Sequence, residues 1–246
     1  MMDKVRRSRL KRVVNEARRI IEDDVRAQLR RLGFDDEGNL RPVEELPHLS
    51  SGDIELREKI VKAIEKEMSP GISRGEAFDR YVRHVGFTYV NRIAALRAME
   101  VRGLIKETVV RRDAYGGRSR REFEIAEREG IVDPYELLKA SLIEAFKEVS
   151  SEIRVLFDVN SEYSLVFPGH RALKELIRLF GEEVPEEDWR EDDIIGWIYQ
   201  YYNEEARSRL QRSKRKPSPD DIPLISQLYT PNWIVQFLVD NTLGRL

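Results

Sequence analysis

The 246 residues suffice for one large domain or two small ones, and a hydrophobic content of 41% suffices for a packed core. Charged residues make up 36% while Gly and Pro are sparse, the balance of a mostly helical protein with solvated outer faces. A formal net charge of -2 gives no global attraction to nucleic acid, so any such binding has to come from local patches. The absence of cysteine excludes disulfides, thiolate metal sites and a cysteine nucleophile. No apolar run approaches the ~18 residues of a membrane span, and the basic start has no apolar signal core. The composition reads as a soluble, cytoplasmic protein with no membrane partner.

The first element predicted is a basic helix within residues 1–32. Leu10, Val13, Val14, Ala17, Ile20, Ile21, Val25 and Leu29 recur at three- and four-residue steps and form one apolar stripe. Between Asp3 and Arg31 eleven basic side chains face five acidic ones, the pattern of a solvated face or of an arm toward nucleic acid or a partner. Gly33, Gly38, Pro42 and Pro47 punctuate a linker over 33–52. A helical region follows over 53–216. Its first helix runs from about Asp53 to Met68. The next opens on the capping box of Ser73 and Glu76 and continues to about Arg102, with Tyr81, Val82, Val85, Tyr89, Ile93, Leu96 and Met99 on its buried face.

The pattern then changes. "ETVVRRDAYGGRSRREFEI" holds two short strand-like runs around a Gly-Gly turn, which predicts a β-hairpin near 107–125. Arg111, Arg112, Arg118, Arg120 and Arg121 flank that turn and are candidate phosphate contacts. "DPYE" opens another helix, with Asp133 at the cap and Pro134 in the first turn. "NSEYSLVFPG" is a connection, and "HRALKELIRLFG" is a helix closed by Gly181. The helix "DDIIGWIYQYYNEEARSRLQRSKRK" starts acidic and ends on Arg207, Arg209, Arg212, Lys214, Arg215 and Lys216. That charge order suits the helix dipole, and the basic end is a second candidate DNA contact. A Pro-broken linker and a last helix occupy 217–246. There Thr230 is a good N-cap and Pro231 suits the first turn, and the free amides of such a helix start can hold a carboxylate.

The three histidines, His48, His84 and His170, lie in unrelated segments without metal-ligand spacing, so no metal site is assigned. No Gly-x-Gly loop, no Ser-His-Asp arrangement and no acid–base carboxylate pair stands out, so no catalytic residue is assigned either.

Four stretches carry a resemblance. "GWIYQYYNEEARSRL" followed by "DIPLISQLYTPNWIVQFLVDNTLGRL" resembles the PglX family, adenine-specific DNA methyltransferases of the phage-defence systems called BREX. "YVNRIAALRAMEVRGLI" and "LFDVNSEYSLVFPG" are similar to stretches upstream of these in the same family. The resemblance implies methyl transfer from S-adenosylmethionine to adenine N6 in double-stranded DNA. It also implies that Tyr229, Thr230, Pro231 and, more weakly, Asn232 lie beside the methionine end of the cofactor. The family's cofactor loop and Asn-Pro-Pro-Tyr motif, which holds the flipped base, are not found here: the sequence contains no Asn-Pro and no Pro-Pro dipeptide. The chain therefore reads as a mostly α, multi-helix N-terminal region with one short hairpin, lacking the Rossmann-like methyltransferase sheet. It is expected to be inactive alone and to partner a catalytic methyltransferase domain or subunit, DNA and other defence-system proteins. The alternative is a stand-alone binder of winged-helix type, with "LRAMEVRGLI" as its helix and the arginine-rich hairpin as its wing, or a helical scaffold.

Overall fold

A computed structural model describes residues 2–213, 217, 219–230 and 232–245. The architecture is built from α1 (Lys4–Arg31), α2 (Ser51–Lys66), α3 (Arg74–Val101), α4 (Arg120–Glu129), α5 (Pro134–Ser150) and α6 (Arg154–Phe157). It continues with α7 (His170–Arg178), α8 (Glu186–Trp189), α9 (Ile194–Arg212), α10 (Ile222–Ser226) and α11 (Asn232–Thr242). Among the described residues no strand longer than an isolated bridge forms, and no helix is long and apolar enough to cross a membrane. The Rossmann-like sheet is thus absent from this part, and the fold is mostly α.

The centre is a three-helix contact of α1, α3 and α9. The apolar stripe of α1 is buried at Leu10, Val13, Val14, Ala17, Ile21, Val25 and Leu29, with Ile20 partly so, and each buried Leu, Ile or Val contributes roughly 1.5–3 kcal/mol by leaving water. α3 is buried on most of its circumference, because α1, α9 and the connection over 158–167 cover it from different sides. Gly86 permits the close approach. A Cβ there would meet the Tyr202 hydroxyl at 2.5 Å and Ile21 Cγ2 at 3.1 Å.

Two stretches of sequence similarity are structural partners. The buried Arg92 of α3 donates from Nε to the Leu156 carbonyl (2.6 Å) and from Nη2 to the Asp158 carbonyl and Ser164 Oγ (2.8 Å each). Its guanidinium also lies over the Tyr89 and Phe146 rings. The segment after α5 is thereby fastened to α3. Farther along α3, the fully buried carboxylate of Glu100 accepts the backbone N–H groups of Thr108, Val109 and Val110 at 2.7–2.9 Å, and an Arg97 N–H. One glutamate therefore holds the first half of the segment expected to be a hairpin.

That hairpin is corrected by the structure. Only one antiparallel bridge forms, Arg112 with Arg118, around a 3-10 turn at Asp113–Tyr115. The run expected as the second strand, "REFEI", lies in α4. Ser119 accepts the Glu122 N–H and the Glu122 carboxylate accepts the Ser119 N–H, a capping box that commits the next residues to a helix. The wing required by the winged-helix alternative is reduced to this single bridge. Ser50 likewise caps α2 with Asp53, so that helix starts two residues earlier than expected. Gly181 does not close α7: a π-helical turn, Leu179–Glu183, continues it, with Gly181 inside. The segment over 33–52 packs against the core through the buried Phe34 and Leu46.

Candidate functional site

The site to which the resemblance points is the segment from Asp221 to Thr230, which returns along α9. Its anchors come from two helices. Arg80 of α3 forms a buried ion pair with Asp221 at 2.6 Å. From α9, Arg207 Nε donates to the Leu224 carbonyl (2.9 Å), and the Tyr199 hydroxyl donates to Gln227 Oε1 (3.0 Å). Gln200 Oε1 accepts the backbone N–H of Tyr229 at 3.2 Å.

The Tyr229 ring then seats on the start of α9. Its centroid is 5.2 Å from that of Trp197, which in turn stacks on Tyr201 at 5.6 Å and carries the Arg7 guanidinium of α1 at 5.1 Å. Gly196 makes the seat possible: a Cβ there would lie 2.0 Å from Tyr229 Cδ2. Trp197 is itself fixed, its indole N–H donating to Asp193 Oδ2 at 3.0 Å. Burial, followed by the charges of Asp193 and Asp192, raises the Tyr229 pKa, so the ring is a neutral stacking surface at physiological pH. The Gly-Trp-Ile-Tyr-Gln run and Tyr229, 29 residues beyond its last residue, therefore form one unit. Gly196, Tyr199 and Gln200 belong to a stretch that carries the resemblance, but no helical spacing links them or Arg7 to a segment across a turn.

Thr230 is exposed beside this seat. Pro231 lies outside the described residues, as does the side chain of Asn232, whose backbone starts α11. Trp233, Phe237 and Leu238 of α11 are 60%, 62% and 54% exposed, an apolar face that this chain leaves largely in water.

The candidate phosphate contacts fall into different environments. Arg121 is buried and forks to Glu144 (2.9 Å) and Glu148 (2.6 Å), with Nε on Thr108 Oγ1. Arg111 pairs with Glu122, Arg112 with Glu107 and Arg120 with Glu124. Arg207 faces the Asp221–Thr230 segment, and Arg209 pairs with Glu205. Arg118 and Arg212 are exposed and make no side-chain ion pair among the described residues. Lys214, Arg215 and Lys216 lie outside the described residues.

An all-helical body that holds Tyr229 against α9 and exposes the apolar helix α11 has relatives among adenine-specific methyltransferases. The chain is similar to the adenine-specific methyltransferase BrxX of Escherichia coli O9:H4 (strain HS), 29% identical over 272 residues that cover 96% of this chain and 21% of that protein. It is equally similar to the adenine-specific methyltransferase PglX of Lacticaseibacillus casei (strain Zhang), 29% identical over 273 residues, 94% of this chain and 22% of the relative. No family model matches the chain. It is thus related to the PglX-type adenine-specific methyltransferases and spans about a fifth of the length of these curated relatives.

Proposed function

We propose that this chain is the helical, substrate-handling region of an adenine-specific DNA methyltransferase of the phage-defence type. It would act with a catalytic methyltransferase sheet that binds S-adenosylmethionine and performs transfer to adenine N6. The observation that carries this reading is the convergence of Gly196, Trp197, Tyr199, Gln200 and Arg207 on the segment ending at Tyr229 and Thr230. Five residues of one helix hold a short segment at the point where the family resemblance expects the cofactor's methionine end. Tyr229 and Thr230 border the cofactor in this proposal, with Pro231 and Asn232 opening the helix whose amides face its carboxylate. The apolar face of α11 is covered by the catalytic sheet, which suits a chain matching only about a fifth of its relatives. Exposed basic residues, Arg118 and Arg212 first, meet the DNA backbone and position it without reading bases.

A methyl-transfer assay tests the proposal. This chain alone, which contains no Asn-Pro-Pro-Tyr motif, is expected to transfer no methyl group to duplex DNA. Mixed with the catalytic part of a PglX-type relative it is expected to support transfer, and Tyr229→Ala is expected to raise the KM for S-adenosylmethionine more than it lowers kcat. Transfer by this chain alone, or a Tyr229→Ala mixture indistinguishable from wild type, would overturn the reading.

A further inference from the structure

The structure holds a second site, away from the Tyr229 seat. A cavity of about 220 Å³ lies among α1, α3, α9 and α10, with five arginines in its lining among the described residues. Four of them have carboxylate partners: Arg18 and Arg209 with Glu205, Arg26 with Asp79 at 2.7 Å, and Arg80 with Asp221. The fifth is Arg83. Among the described residues its guanidinium makes no hydrogen bond and no ion pair, although it is half-buried against the cavity. The Nε–H of Arg18 on the same wall is buried without an acceptor.

Leaving donors of this kind without acceptors is costly: a buried guanidinium keeps its charge and loses its hydration. Burial draws the pKa of Arg83 below its ordinary value, though the group stays charged at physiological pH. Glu22 shares the lining, yet its Oε1 accepts the Tyr202 hydroxyl at 3.0 Å and it forms no ion pair with Arg83. The remaining need is for an acceptor with several oxygens, small enough for the cavity and negative enough to offset a desolvated guanidinium. A tetrahedral phosphate meets all three requirements, and the planar fork of arginine matches two of its oxygens.

We infer that this cavity binds a phosphate group, free or as a monoester, through Arg83 and the Arg18 Nε–H. The site does not depend on the methyltransferase reading. Orthophosphate binds the 246-residue chain, measured by titration calorimetry at fixed ionic strength. Arg83→Gln lowers that affinity about tenfold or more, and its melting temperature is not reduced, because the substitution removes an unpaired desolvated charge. Glu22→Gln keeps an acceptor for the Tyr202 hydroxyl, deletes the negative charge opposite the ligand and raises the affinity severalfold. A competition arm identifies the source: 5′-AMP that displaces orthophosphate makes the ligand a nucleotide, and 5′-AMP that fails to do so makes it the free anion. Either outcome supports the site. Equal phosphate affinity in the wild type and Arg83→Gln, or no binding to the wild type at millimolar phosphate, overturns it.

Discussion

At position 196 a hydrogen atom stands where any other residue would place a carbon 2.0 Å from the Tyr229 ring. Backbone conformation does not demand this glycine, since its φ is not in the left-handed region; the neighbour's ring does. Gly196→Ala must therefore shift the helix or expel the ring, and the half-exposed Tyr229 is the softer partner. In a Trp233→Phe background, which removes the exposed indole of α11, Gly196→Ala is expected to red-shift tryptophan emission as Trp197 loses its cover. The melting temperature should fall by only a few degrees; an unchanged spectrum would mean that the ring keeps its seat. Residues of this kind are hard to read from sequence. The Tyr-Thr-Pro run was legible as a capped helix start and a resemblance, whereas its clamp on α9 was not, because the contact joins segments with no shared periodicity. Glu100 is similar: a glutamate inside a helical pattern reads as surface, and nothing local says that three amides eight to ten residues later close on it. The five arginines of the expected hairpin were visible as charge alone, and only the structure reveals that Arg121 is buried between two glutamates.

At the scale of elements, caps were the most legible signals because they are local. Ser73 with Glu76 and Asp133 with Pro134 start their helices where their chemistry requires. "SRREFEI" carries two messages, strand-like alternation and a Ser-x-x-Glu box. The box wins, as Ser119 and Glu122 are buried together and close each other's donors. Contacts between elements leave no such local signal. Glu67, the C-terminal cap of α2, accepts from His84 Nδ1 of α3 at 2.7 Å and from the Tyr163 hydroxyl at 2.8 Å, tying three segments together. Burial pushes its pKa up, but the His84 hydrogen bond and charge and the Tyr163 hydroxyl outweigh burial, so the net shift is downward. A carboxyl lowered in the folded state stabilises above its unfolded value, about 4.3, and loses that contribution as pH falls through the folded value. Glu67→Gln is therefore expected to cost about 1 kcal/mol or more near pH 7. The gap to wild type should shrink as the pH is lowered from about 5 toward 3. Urea denaturation at a series of pH values checks this, and a gap that is constant or widens toward acid would refute the assigned linkage.

For the whole molecule, α1 is the organiser, and its basic surplus largely faces inward to acids of the same chain. Arg6 and Arg9 converge on the fully buried Asp188, Arg12 reaches Glu183, and Lys11 and Arg18 meet Glu204 and Glu205 of α9. The acidic segment before α9, which in sequence suited only a helix dipole, is thus also the counter-charge to α1. By contrast, α11 presents Trp233, Phe237 and Leu238 to water, with Val235 and Val239 more than 40% exposed. Side chains that are already solvated add nothing to the stability of the fold that carries them, but they favour association with any apolar partner. Replacing all three by serine should leave the unfolding free energy from urea titration within about 0.5 kcal/mol of wild type, as for ordinary surface changes. The same triple variant should lose the concentration-dependent self-association and bis-ANS binding expected of the wild type. It should also fail to join the catalytic part of a PglX-type relative in a pull-down. The two readouts separate two roles for one helix. If α11 served only to complete this helical body, the substitutions would lower the unfolding free energy by several kcal/mol and leave association unchanged. Loss of association at constant stability makes α11 a surface built for a partner, with Tyr229 held by α9 at its edge.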